Sequence, residues 1–92
     1  MNNAERIERI RSLLENRFQP TSLEIDDQSH LHAGHAGARE GKGHFQVDIV
    51  ASAFDNLPPI KRHRLVYDAL RDMLETDIHA LIINATPPGE RD

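Results

Sequence analysis

The chain has no cysteine among its 92 residues. It therefore holds no disulfide, and no thiolate of its own can act as a nucleophile or bind a metal. Long apolar runs are missing as well, and no segment approaches the ~20 apolar residues of a membrane-spanning helix. From Met1 to Arg11 the chain is polar and charged, without the apolar centre of a signal peptide. These two absences lead us to expect a cytoplasmic protein with no membrane partner. An excess of positive charge is also lacking. The formal net charge is −4 with histidine neutral, so no overall basic field draws the chain toward nucleic acid.

Missing motifs narrow the chemistry further. Ser12, Ser22, Ser29 and Ser52 stand in no nucleophile context, and there is no GxSxG, so a serine beside a general base is not indicated. A phosphate-cradling glycine loop needs GxxxxGK[ST] or GxGxxG between a strand and a helix. The fragment Gly41-Lys42-Gly43 leads into a strand pattern instead. CxxC and HExxH are absent too. The expectation is a protein that is not an enzyme.

What the chain does have is histidine. There are six, at positions 30, 32, 35, 44, 63 and 79, and the first three fall within six residues. Neutral imidazole is a common ligand for Zn, Cu, Fe and Ni. The plain alternative is that histidines in a glycine-rich surface loop are only solvated, and that a strand histidine is a hydrogen-bonded neighbour of the core. With no cysteine and so uneven a spread of histidines, one chain would struggle to close a tetrahedral site, whereas a partner bringing thiolates would complete it.

Length and periodicity define one domain over residues 1–92. A chain this short hides roughly 60–65% of its unfolded surface on folding, enough for two or three helices on a small sheet. Asn2 or Asn3 is a plausible cap for a helix over Asn3–Arg17, whose apolar face is Ile7, Ile10, Leu13, Leu14 and Phe18. Pro20 closes it. Leu23 and Ile25 alternate with polar residues in a half-buried strand over Thr21–Asp27. His44–Ser52 alternates Phe45, Val47, Ile49 and Ala51 on one face, the cleanest strand pattern in the chain. Between the two strands lie sixteen residues, Gln28–Gly43, that hold four of the five glycines. So long a loop in so small a domain points to function or disorder.

The second half reads as one helix running into one strand, over Ile60–Ala85. Pro59 suits the first turn of that helix, where its missing N–H does no harm. Val66, Tyr67, Leu70, Met73 and Leu74 form the apolar stripe, with His63 on the same line and predicted half-buried. Lys61, Arg62, Arg64 and Arg71 make a basic patch that could contact phosphates, diluted by Asp68, Asp72 and Glu75. Ile78–Ile83 is short and almost continuously aliphatic, which suits a buried strand. Pro87 and Pro88 stop it, and residues 87–92 read as a frayed tail. The order α-β-β-α-β predicts an α+β two-layer sandwich: a three-stranded mixed sheet with the helices on one face.

Three stretches give the chain a family resemblance: HAGHAGAR leading to GHFQVDIVASAF, then RHRLVYDAL, then IHALIINATPPGE. Together they resemble the BolA family over essentially the whole chain. The resemblance implies a variant of the class II KH fold, in agreement with the derived element order. It also implies a monothiol glutaredoxin as partner, with a bridging [2Fe–2S] cluster whose sulfur donors are the glutaredoxin cysteine and glutathione. His79, in the IHAL segment, matches one family ligand. The second comes from the loop, where His35 stands nine residues before His44; His32 is the alternative, because this loop carries a small insertion.

Imidazole in place of thiolate makes a cluster less negative and raises its potential. Protonation of imidazole weakens its hold on metal. Both suit iron–sulfur trafficking or iron-status regulation better than storage. The resemblance brings a competing reading, a DNA-binding transcriptional regulator of stress and cell shape using Lys61, Arg62, Arg64 and Arg71. Against it, Asn56-Leu57-Pro58-Pro59 replaces the GxxG loop with which KH domains clamp a nucleotide backbone. A homodimer is left open.

Overall fold

The computed structural model describes residues 2–29 and 43–89. Helix α1 spans Asn3–Phe18. Asn2 caps it: its Oδ1 accepts the Glu5 N–H at 2.9 Å, and the Asn2 N–H donates to Glu5 Oε1 at 3.3 Å. This reciprocal box satisfies donors that a helix start leaves open. Gln19 closes the other end in the left-handed region, φ 45°, with its N–H on the Glu15 carbonyl. Ile10, Leu14 and Phe18 form the buried face of α1.

Strands β1 (Ser22–Asp27) and β2 (Gly43–Val50) pair antiparallel, and β3 (Ile78–Thr86) joins β2 in parallel. The strand order is β1-β2-β3, so the chain's cleanest alternating pattern lies at the centre of the sheet. Phe45, Val47, Ile49 and Ala51 are all buried on its helix-facing side, packed with Ile10, Leu14, Phe54, Val66, Leu70 and Met73. The crossover to β3 is helical: α2 spans Pro59–Ala69 and α3 spans Arg71–Thr76. Pro59 opens α2, as its fixed φ suits.

Four features differ from expectation. First, the crossover helix is broken at Leu70 (φ −106°, ψ 11°). Its N–H is shared between the Val66 and Tyr67 carbonyls, both at 3.2 Å, and its own carbonyl accepts from Met73 at 3.0 Å and Leu74 at 3.1 Å. The turn tightens there, and no glycine or proline marks the place.

Second, the buried line of α2 and α3 runs through Arg62, Val66, Leu70 and Met73. It keeps Val66, Leu70 and Met73 of the predicted stripe, with Leu74 packed beside them, but is offset by one residue at its start, where Arg62 is inside in place of His63. His63 and Tyr67 therefore sit on the rim, exposed and stacked on one another with ring centroids 5.5 Å apart.

Third, Arg62 leaves the basic face. It is only 8% exposed; its Nε donates to the Leu57 carbonyl at 2.7 Å and its Nη1 reaches the Ala85 carbonyl at 3.4 Å. The guanidinium ties the turn before α2 to the end of β3.

Fourth, β3 is an edge strand and not one buried on both faces. Alternate residues face away from the helices, and among the described residues no element packs over them there; Ile82 is half exposed. The strand also runs to Thr86, whose carbonyl accepts the Ala51 N–H at 3.1 Å.

Two substitutions probe this packing. A β-carbon at Gly43 would clash with the edge of the Phe45 ring and come within 3.1 Å of Asn3 Oδ1. Phe45 is fully buried and has nowhere to go. Gly43→Ala is expected to lower the unfolding free energy by about 1–3 kcal/mol in urea titration; an unchanged midpoint would contradict the packing. Arg62→Met removes two charge-assisted hydrogen bonds from a buried site and is expected to cost roughly 2–3 kcal/mol. A surface arginine in the same titration would cost almost nothing.

Candidate metal centre

His79 owes its position to an irregularity in the sheet. Gly43 pairs with Ile78, but the next β2 residue, His44, pairs with Ala80. Strand β3 thus carries one extra residue, His79, at a β-bulge. Strict alternation would send Ile78 and Leu81 to opposite faces. The bulge lets both contribute to the core, Ile78 at 2% exposure and Leu81 packed against the cluster. His79 itself is exposed. Bulges recur beside functional sites because they re-aim one side chain and leave it without a cross-strand pair.

The bulge faces a second imidazole. His44 projects from the side of β2 opposite Phe45 and is buried, 3% exposed. Its ring centroid lies 5.1 Å from that of His79, with the planes tilted by 56°. Two imidazoles at one end of the sheet, one inward and one open to solvent, are the main chemical feature of the described surface.

The backbone around this pair is braced. The Gly43 N–H donates to the Asp77 carbonyl at 2.9 Å, and the His44 N–H donates to Ser29 Oγ at 3.0 Å. The Asp77 carboxylate takes Arg6 Nε at 3.3 Å on one oxygen and the Thr76 hydroxyl at 2.9 Å on the other. Partial burial works to raise the Asp77 carboxyl. The hydrogen bonds from Thr76 and Arg6 and the charge of Arg6 outweigh it, and the group lies below its ordinary value.

The sequence-derived site residues fare differently. His79 is exposed beside His44. His35, its alternative His32 and also His30 lie outside the described residues. Of the basic patch, Lys61 and Arg64 are exposed. Arg62 is turned inward, so its assignment to a phosphate-contacting face is corrected. Arg71 is held by Asp68 at 2.7 Å, and that hydrogen bond and charge raise its guanidinium above the ordinary value. Among the described residues no three His, Cys, Asp or Glu side chains converge as a metal-binding group. Among the described residues the bulge gathers two imidazoles, too few to close a site alone. It fits a centre whose remaining ligands come from elsewhere.

Sequence reasoning missed the residues that hold the bulge: Asn3, Arg6, Ser29 and Asp77. The Asn3–Ser29 and Arg6–Asp77 contacts join positions 26 and 71 apart in sequence, and apolar periodicity carries no signal for them. The odd spacing of Ile78 and Leu81 was the one available sign of the bulge.

Comparison with known proteins agrees with this architecture. A family model described as BolA-like protein matches residues 14–90. The SufE-like protein 1, chloroplastic/mitochondrial, of Arabidopsis thaliana is 46% identical over 87 residues, covering 89% of this chain and 24% of that protein. Protein BOLA1, chloroplastic, of the same plant is 43% identical over 88 residues, covering 92% of this chain and 55% of that protein. The chain thus spans about a quarter and about half of the length of these two relatives. The solved BolA domain of SufE1 from Arabidopsis thaliana superposes with a TM-score of 0.80 at 43% identity, covering 91% of this chain and 93% of that one. The solution structure of mouse BolA1 gives a TM-score of 0.74 at 40% identity, covering 90% of this chain and 65% of that one. No helix among the described residues is long and apolar enough to cross a membrane. On its sequence, element order and sheet topology, the chain belongs to the BolA-like family.

Proposed function

We propose that the chain is a non-enzymatic adaptor that binds a monothiol glutaredoxin and co-ligates a bridging [2Fe–2S] cluster. His79 is one ligand, and His35, or alternatively His32, is the other. The observation that carries this reading is the bulge, which leaves His79 open to a partner while its flanks are held by the sheet. Support also comes from the donor chemistry. The chain has nitrogen ligands and no thiolate, so the sulfur donors belong to glutaredoxin and glutathione. The cluster, when bound, supplies labile iron and sulfide or a one-electron couple, which suits iron–sulfur trafficking or iron-status regulation.

The chain's own residues have three tasks in this reading. His79 offers a neutral imidazole from a fixed backbone. The buried His44 ring fills the space behind it. Ile78 and Leu81, on either side, anchor the bulge to the core. Such a ligand is lost on protonation, so the complex is expected to release its metal more readily in mild acid than an all-thiolate one.

DNA binding through α2 is supported less well. With Arg62 inside and Arg71 bonded to Asp68, only Lys61 and Arg64 of the patch remain for phosphates. Two such contacts make a weak, strongly salt-sensitive attachment.

The test is anaerobic reconstitution with a monothiol glutaredoxin, glutathione, iron and sulfide, followed by visible absorption and circular dichroism. His79→Ala and His35→Ala are expected to shift the spectra and shorten the cluster lifetime several-fold, while His63→Ala changes neither. Wild-type spectra and lifetime in both ligand variants would contradict the assignment.

A further inference from the structure

A closed ring of contacts joins the first turn of α1 to both histidine-bearing segments. Arg6 Nη1 donates to Asn3 Oδ1 at 2.8 Å, and Asn3 Nδ2 donates to Ser29 Oγ at 3.1 Å. Ser29 Oγ also accepts the His44 N–H at 3.0 Å. Gly43, the residue before His44, donates its N–H to the Asp77 carbonyl at 2.9 Å. Asp77 returns to Arg6 through the 3.3 Å ion pair. Gly43, His44 and Asp77 belong to, or directly adjoin, the strands that carry His44 and His79; Asn3 and Arg6 reach them from α1, and Ser29 from just past the end of β1.

We infer that Asn3 and Arg6 are positioning residues that set the relative placement of the His44 and His79 rings, and through it the geometry His79 presents to a shared metal centre. The second half of this inference rests on the ligand role proposed above. The physical case has three parts. A bulged residue has no cross-strand pair, so the orientation of His79 is set by its flanks. The downstream flank, Ala80, is paired with His44. The upstream flank, Ile78, is paired with Gly43, and Asp77 just before it is held from outside the sheet by Arg6.

The Arg6–Asp77 pair is also mostly withdrawn from water, with side chains 11% and 17% exposed. A pair removed from solvent holds a direction more firmly than a surface pair, whose partners wander and are screened. For stability alone an apolar pair of similar size would serve as well or better. Finally, the ring fixes both histidine segments from one rigid helix. Losing Arg6 would let the Asp77 side move relative to the His44 side while the core strands stay paired.

The test compares wild type, Arg6→Gln, Arg6→Lys and Leu23→Ala. Leu23 packs at the far end of β1 opposite Ile49 and serves as a control for lost stability. In the cluster-free chain, nuclear Overhauser contacts between the two imidazole rings and the His79 ring shifts report placement directly. Arg6→Gln is expected to weaken the ring-to-ring contact several-fold and move the His79 ring signals. Arg6→Lys is expected to restore most of both, and Leu23→Ala to leave both unchanged. In the glutaredoxin complex, Arg6→Gln is expected to alter the visible dichroism bands with His79 still present. Ring contacts and shifts at wild-type values in Arg6→Gln would overturn the inference. Should the wild-type complex take up no iron, the ligand reading falls, and the ring contacts still decide whether Arg6 positions the pair.

Discussion

The Gly43 N–H donates to the Asp77 carbonyl at 2.9 Å, and this hydrogen bond decides where β3 begins to pair. It sets Gly43 opposite Ile78, and from His44 onward the ladder resumes one residue out of step on β3. The step brings Ile78 and Leu81 to the same core and turns His79 out. It also requires glycine at position 43, where the Phe45 ring occupies the space any β-carbon would need. A small core gains from every aliphatic side chain it can bury. Here the arrangement that buries one more of them is also the one that exposes His79.

That coupling relates stability to chemistry. The bulge is anchored by buried Ile78, by the part-buried Arg6–Asp77 pair and by Ser29. The other end of the sheet is held by Arg62, which bridges the Leu57 and Ala85 carbonyls. A charged residue therefore braces each end of β3, and neither brace depends on a disulfide. His79 stands between them on an edge strand, where a partner can approach without unpacking the core. The proposed adaptor, sharing a metal centre with a partner, would need this combination of a rigid backbone and an open side chain.

Much of the fold was legible in the sequence, and the reasons differ by element. The alternation of Phe45, Val47, Ile49 and Ala51 identified the central strand because period two is unambiguous on a one-sided sheet. Asn2, with Asn3 as its alternative, and Pro59 marked helix starts through local hydrogen-bond needs. Arg62 was misread because its charge suggested solvent, whereas its place in line with Val66 and Leu70 put it inside, where two carbonyls compensate it. His63 was misread by the same one-residue offset. Strand β3 resembled a fully buried strand because the bulge breaks the alternation that would have revealed an open face. Of the site, His79 was singled out only through resemblance. Its partnership with His44 was not legible, since it follows from strand register, which single-sequence patterns do not fix at a bulge.

The most direct measurement is amide hydrogen exchange at Gly43. If the bond to Asp77 anchors the register shift, the Gly43 amide exchanges only when the sheet opens, with protection within about tenfold of that at Val47 in the same strand. Exchange at Gly43 close to the rate of an open loop, with Val47 still fully protected, would contradict the account. It would mean that the register around His79 is not held by the hydrogen bond on which this arrangement depends.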